Sequence, residues 1–159
     1  MSETKEKRKI YLAGSCASDF RTDMVEIAKM LRYLNYEVYC PFELKIPDAW
    51  SMSQELWAEK VFNADLEAIN NCDIFFMISP GRDSTAGTNW EQGYAYAKGK
   101  KIIVAQYTEN PTSLMTYCGS SLFYNYSSTK KLRENIWWIF GKDSHFAFRS
   151  QENCKTVLT

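Results

Sequence analysis

Apolar residues recur along the chain in two rhythms. Short continuous runs, Ile10-Tyr11-Leu12-Ala13, Ile74-Phe75-Phe76-Met77-Ile78 and Ile102-Ile103-Val104-Ala105, read as strands buried on both faces. Between them the spacing is helical. Met24, Ile27, Ala28, Leu31 and Leu34 predict a helix ending near Leu34, and Tyr36–Cys40 a second strand closed by Pro41. Ser51-x-x-Gln54 reads as a capping box opening a helix to about Asn71. Trp90, Tyr94 and Ala97 predict a short helix that stops at Gly99, a natural residue for a helix end. Leu122 to Tyr126 reads as a short fifth strand, and Leu132, Ile136, Ile139 and Phe140 mark a last helix ending at Gly141. Strand alternating with helix, with near-continuous apolar strands, is the pattern of a parallel α/β sheet. The expectation is one α/β domain over residues 1–159 with about five parallel strands.

Three stretches fall outside that rhythm. Pro41 to Trp50, with two prolines, reads as a loop able to fold over a site. The segment after Gln106, with Pro111, Leu114, Met115 and Tyr117, reads as a long loop with exposed apolar residues. From Lys142 onward the chain is polar and reads as irregular.

Composition narrows the partners. The formal net charge is zero, and Lys5 to Lys9 is the only short basic start, which argues against nucleic acid. No run approaches membrane-spanning length, and the charged start lacks the apolar region of a secretory signal. The five cysteines (16, 40, 72, 118 and 154) are scattered without a Cys-x-x-Cys pair and read as reduced thiols of a cytoplasmic protein. The single histidine, His145, lies in the tail, so a histidine triad or multi-histidine metal site is not expected. No metal and no organic cofactor are expected.

The chemistry concentrates between Ser79 and Ala95, where a buried strand runs through a Gly-containing polar loop into a helix. Ligands of open α/β sheets bind at the carboxyl ends of strands, where this loop would lie. Glu91 admits two readings. Thr88-x-x-Glu91 is a capping box in which Glu91 satisfies a backbone N–H, or Glu91 is a carboxylate offered to a ligand from the first helical turn. Asp65 is the second candidate. Trp57, Val61, Asp65 and Ile69 recur every four residues, so a carboxylate sits on a stripe that should be buried. It either escapes to water at the stripe's edge or is paired, protonated or turned to a cavity. Ser15 to Asp19, after Gly14, are small and polar enough for close approach to a ligand. Trp57 and Trp90 could stack on a ligand ring or simply pack in the core.

Three ordered motifs carry a resemblance. Tyr11-Leu12-Ala13-Gly14 resembles the first-strand motif of the nucleoside 2-deoxyribosyltransferase family, and Asp65-Leu66-x-x-Ile69-x-x-Cys72-Asp73 its second signature. Gly87-Thr88-Asn89-Trp90-Glu91-Gln92-Gly93-Tyr94-Ala95 resembles its active-site signature. The similarity runs to about Tyr117. It implies a flavodoxin-like fold in which Glu91 is the nucleophile, Tyr11 orients it and Asp65 contacts the base; taken alone, Tyr11 reads equally as a core aromatic. The family usually places a sugar-binding Asp six residues before the Glu. Here Thr85 stands there and Asp83 lies eight before, so either Asp83 is brought in by a bulge or a hydroxyl of Ser84, Thr85 or Thr88 substitutes. Ser113-Leu114-Met115 resembles a segment that reaches the neighbouring subunit's site, with Ser113 where an Asn is usual. A related branch acting on nucleoside 5′-monophosphates carries an Arg-rich phosphate loop, for which this chain offers Ser15, Ser18 and Arg21.

The resemblance thus implies base exchange between 2′-deoxynucleosides through a covalent deoxyribosyl-Glu91 intermediate, with nucleosides and free nucleobases as partners. It also implies a homo-oligomer, dimer-based and up to a hexamer, with shared sites. The rival readings are an N-glycosidase for nucleosides or their 5′-monophosphates, and a nucleotide-sensing module without turnover.

Overall fold

The computed structural model describes residues 6–15 and 20–141. Five strands form one parallel sheet: β1 (Lys9–Ala13), β2 (Glu37–Tyr39), β3 (Ile74–Ser79), β4 (Lys101–Gln106) and β5 (Leu122–Asn125). Their spatial order is β2-β1-β3-β4-β5. The helices are α1 (Arg21–Tyr33), α2 (Gln54–Asn71), α3 (Ala86–Ala97), α4 (Leu114–Cys118) and α5 (Thr129–Phe140).

Because side chains alternate across a strand, each apolar run supplies two cores. Ile10 and Leu12 of β1, with Ile74, Phe76 and Ile78 of β3, pack under α1 and α5. Met24, Ile27 and Leu31 cover them from α1, and Leu132, Ile136, Ile139 and Phe140 from α5. On the other face Tyr11, Ala13, Phe75, Met77, Ile102 and Val104 meet Ile69 of α2, Ala95 of α3 and Tyr117 of α4. The expected α/β architecture is therefore present, with helices on both faces.

Four local expectations are corrected. The cap of α2 is Ser53, whose hydroxyl accepts from Leu56 N at 3.2 Å, rather than Ser51. The segment expected as a loop around Leu114 is the helix α4, capped by Ser113. Tyr117 is buried, not exposed, because α4 turns its ring onto Phe123. The buried stripe of α3 is Thr88, Gln92 and Ala95, while Trp90 and Tyr94 stack on the outer surface with Phe62. Asn35, at φ 71°, and Gly99, at φ 69°, end α1 and α3 in the left-handed conformation that Asn and Gly tolerate best. Cys40 and Cys72 are buried thiols and Cys118 an exposed one. Cys16, Ser18, His145, Cys154 and the tail from Lys142 lie outside the described residues.

Candidate active site

The strand order creates the site. From β1 the chain crosses to the edge at β2, then returns past β1 to β3 and continues outward to β5. Connections leaving β1 and β3 therefore diverge, and a crevice opens at their carboxyl ends. A cavity of about 360 Å³ occupies it. Leu12 and Gly14 of β1 and its following turn form the floor. Pro41, Phe42, Leu44, Ile46 and Ala49 form an apolar wall, and Trp57, Val61 and Asp65 of α2 line another side. Thr85, Gly87, Thr88 and Glu91 complete it from α3.

The apolar wall is the proline-containing connection expected to fold over a site. It makes two short 3₁₀ turns, Pro41–Glu43 and Ala49–Ser51, and is held to α1 from behind. Arg32 pairs with the Glu43 carboxylate through both guanidinium nitrogens and donates to Val38 O at 2.9 Å. Arg21 donates to Phe42 O at 3.2 Å, so this side chain braces the wall. On α2 the four-residue row decides what faces the cavity. Trp57, Val61 and Asp65 look into it, and Ile69, next in the row, is fully buried. Trp57 is half-exposed, a ring at the cavity mouth rather than in the core.

Glu91 is not a capping residue. Thr85 is the N-cap of α3, accepting from Thr88 N at 3.4 Å, and Glu91 lies six residues beyond it in the second turn. The Thr88 hydroxyl has another use. It hydrogen-bonds the Thr85 hydroxyl at 2.8 Å and donates to Gly14 O at 3.1 Å. An added Cβ at Gly14 would lie 2.6 Å from Met24 Sδ, so a side chain there requires the Met24 thioether to move aside.

The electrostatics follow from burial. Removal from water pushes the Glu91 carboxyl up to about 7, and the Asp65 charge adds to the rise, against a lowering by Tyr11. Glu91 stands in the second turn of α3, where the favourable helix dipole has faded and burial outweighs it. Asp65 is raised by burial, while a hydrogen bond from Tyr39 opposes the rise. That bond runs from Tyr39 Oη to Asp65 Oδ1 at 2.8 Å. Tyr11 and Glu91 face one another closely enough to shift each other's titration. The buried Tyr11 hydroxyl nonetheless lacks a partner at full hydrogen-bond geometry. Tyr39, Tyr11 and Phe75 stand directly opposite one another on β2, β1 and β3. Their rings stack with centroids 5.4 Å apart at each step.

Of the residues singled out in the sequence, Gly14, Trp57, Asp65, Gly87, Thr88 and Glu91 share the cavity, with Tyr11 against Glu91. Ser15 follows Gly14 and is half-buried. Asp83 stays exposed on the turn Gly81–Asp83 and accepts from Asn110 Nδ2 at 3.3 Å, while Thr85 stands in the cavity wall. Ser113 and Met115 line a different cavity of about 370 Å³, with Gln92 and Gly93 of α3. Sequence reasoning missed Tyr39; it placed the Pro41–Trp50 loop over a site without naming the side chains that form its wall. The signal for Tyr39 was its place at the end of the strand beside Tyr11, which only the register makes informative.

Fold and site together define an α/β protein with two partly buried carboxyls and two tyrosines at the switch point of its sheet. The family model for nucleoside 2-deoxyribosyltransferase matches residues 10–135, and the chain belongs to that family, whose enzymes act on nucleoside N-glycosidic bonds. Among solved structures it is similar to a 2-deoxyribosyltransferase from the psychrotolerant bacterium Bacillus psychrosaccharolyticus. The two are 28% identical with a TM-score of 0.64, over 79% of this chain and 90% of that one. A CMP N-glycosidase from Clostridium botulinum is 21% identical with a TM-score of 0.58, over 81% of this chain and 98% of that one. A conserved protein from Enterococcus faecalis V583 is 19% identical with a TM-score of 0.57, over 82% and 98%. The last two likenesses are of fold. No curated protein matches the sequence.

Proposed function

We propose that the protein exchanges the base of 2′-deoxynucleosides, with Glu91 as the nucleophile and Asp65 as the group that handles the base. The observation supporting it most directly is the placement of the Glu91 and Asp65 carboxyls on one cavity, with Asp65 held by Tyr39 Oη at 2.8 Å. A retaining transfer needs a carboxylate that attacks the sugar and an acid that protonates the departing base. Ionised Glu91 forms a bond to C1′ as the C1′–N bond breaks. The electron pair of that bond goes to the base, and Asp65 supplies its proton. A second base then attacks C1′, the bond to Glu91 breaks with its pair returning to the carboxylate, and Asp65 recovers a proton. Two inversions give net retention.

The apolar wall and Trp57 suit the flat face of a base, and the Thr85 hydroxyl in the cavity wall suits the sugar. Ser113 and Met115, exposed around the far side of α3, serve a second copy's pocket in this reading rather than their own.

The test is deoxyinosine with free adenine, followed by chromatography. Deoxyadenosine formed by the wild type, and lost by at least about a thousandfold in Glu91→Ala, is the expected result. A 2-fluorinated deoxynucleoside should add one sugar mass to the peptide containing Glu91. Free deoxyribose without deoxyadenosine would replace the transferase with a glycosidase. Turnover that survives Glu91→Ala would remove Glu91 from the chemistry.

A further inference from the structure

The cavity's two carboxyls are each faced by one of two stacked tyrosines, and only Tyr11, beside Glu91, is given a part by the family resemblance. We propose that Tyr39 is a positioning residue for Asp65: its hydroxyl pins Oδ1, leaves Oδ2 for the base, and takes up the charge that appears on Asp65 as its proton departs. The proposal rests on the reading of Asp65 as the acid for the leaving base.

The geometry carries it. Tyr39 Oη donates to Asp65 Oδ1 at 2.8 Å, a good O–H···O distance. The donor is rigid, because Tyr39 is the last residue of β2 and its ring lies on Tyr11, 5.4 Å away and 19° from parallel. Tyr11 in turn lies on Phe75 at 7°, so the donor is backed by a row of rings across three strands. A carboxyl on a helix turns freely about its last bonds unless something fixes it. With Oδ1 engaged, the proton that Asp65 carries belongs on Oδ2. When that proton passes to the base nitrogen as the C1′–N bond breaks, the carboxylate left behind keeps a hydrogen bond that strengthens with its charge. The direction of the titration agrees, since this bond opposes the rise that burial imposes on Asp65. The ionisable groups facing the pair are Glu91 from α3, Tyr11 from β1 and, beyond Tyr39, Cys40.

Tyr39→Phe keeps the ring and its stack and removes only the donor. In the full-length protein kcat for base exchange should fall about 10- to 100-fold with KM changed less than about threefold, because a charge-assisted bond is lost from the step and not from binding. The pH–rate profile should move to higher pH, since the donor that favours the charged carboxyl is gone. A residue that merely packs would lower the rate evenly at every pH. In an Asp65→Asn background the same change should cost less than about twofold, and this double-mutant comparison also subtracts any loss that comes from folding. An unmoved profile, or equal losses in both backgrounds, overturns the proposal. Glu91→Ala, run beside it, separates the two ideas. Turnover independent of Glu91 overturns the functional reading and this inference together, whereas Glu91-dependent turnover untouched by Tyr39→Phe overturns the inference alone.

Discussion

Thr88 reaches across the end of the sheet and donates its hydroxyl to the Gly14 carbonyl at 3.1 Å, tying the start of α3 to the end of β1. Those two elements carry Glu91 and Tyr11, so the bond fixes the register of one against the other. At Gly14 the Met24 thioether closes in on the side where a Cβ would stand.

Thr88→Val should therefore lower stability by about 1–2 kcal/mol, the cost of leaving a part-buried carbonyl without its donor. It should cost more in activity than in folding, about tenfold or more in kcat, because the nucleophile's helix is no longer held in place. Thr88→Ser keeps the hydroxyl and should recover both. Urea titration and base-exchange rates on the three proteins check it, and a Val variant with wild-type kcat would make the bond structural only.

The same residue shows where the sequence stopped being legible. Thr85 and Thr88 both stand at plausible capping positions, and only the neighbouring strand decides between them. Thr88 is drawn off by Gly14, which lies 74 positions away in sequence, so Thr85 caps. The strands were readable because Ile74 to Ile78 and Ile102 to Ala105 are apolar enough to be buried whichever way they face. Asp65 was readable as a charge on an apolar row. Trp90 misled because large aromatics look like core, yet it is half-exposed and stacks on Tyr94 at the core's edge. Tyr39 was invisible for a different reason. Its meaning depends on β2 lying beside β1 in the register that sets Tyr39 opposite Tyr11, and no local spacing contains that.

Glu91 should make the protein less stable as the pH rises. Its folded value of about 7 lies above the ordinary 4.5, so the folded chain holds this proton more tightly than the unfolded one. The stability tied to that proton is complete below about pH 4.5, declines between about 4.5 and 7, and is gone above, a change of at most about 3 kcal/mol. Glu91→Gln cannot ionise. Its melting temperature should match the wild type near pH 4.5 and exceed it by several degrees at pH 8. A gap that does not widen with pH would mean that Glu91 bears no burial cost.

Asp65→Asn should keep the fold and the Tyr39 contact, since the amide oxygen still accepts, while losing the transferable proton. Base exchange with ordinary nucleosides should fall about 100-fold or more. A nucleoside whose base is electron-poor needs less protonation to leave and should recover much of that loss. Equal losses for both substrates would take the acid role from Asp65.

The last prediction concerns the second cavity. Met115 is 81% exposed and Leu114 59% exposed on a helix of five residues, and Ser113, which caps it, lines the same cavity. Exposed apolar groups beside a formed cavity would be covered if a second copy docked there. If a second copy covers it, the segment enters that copy's pocket and each site needs two chains. Met115→Arg is the suitable block. Its side chain is already in solvent, so the fold is spared, whereas Ser113→Arg would also remove the cap. Met115→Arg alone and Glu91→Ala alone should each be nearly inactive, the first through the neighbour's pocket and the second through its own. Co-expressed and randomly paired, half the dimeric units are mixed, and each mixed unit holds one site with an intact Glu91 facing an unaltered Met115. Activity should then return to at most about a quarter of wild type. Light scattering that finds a monomer, or a mixture no more active than either parent, would rule the shared site out.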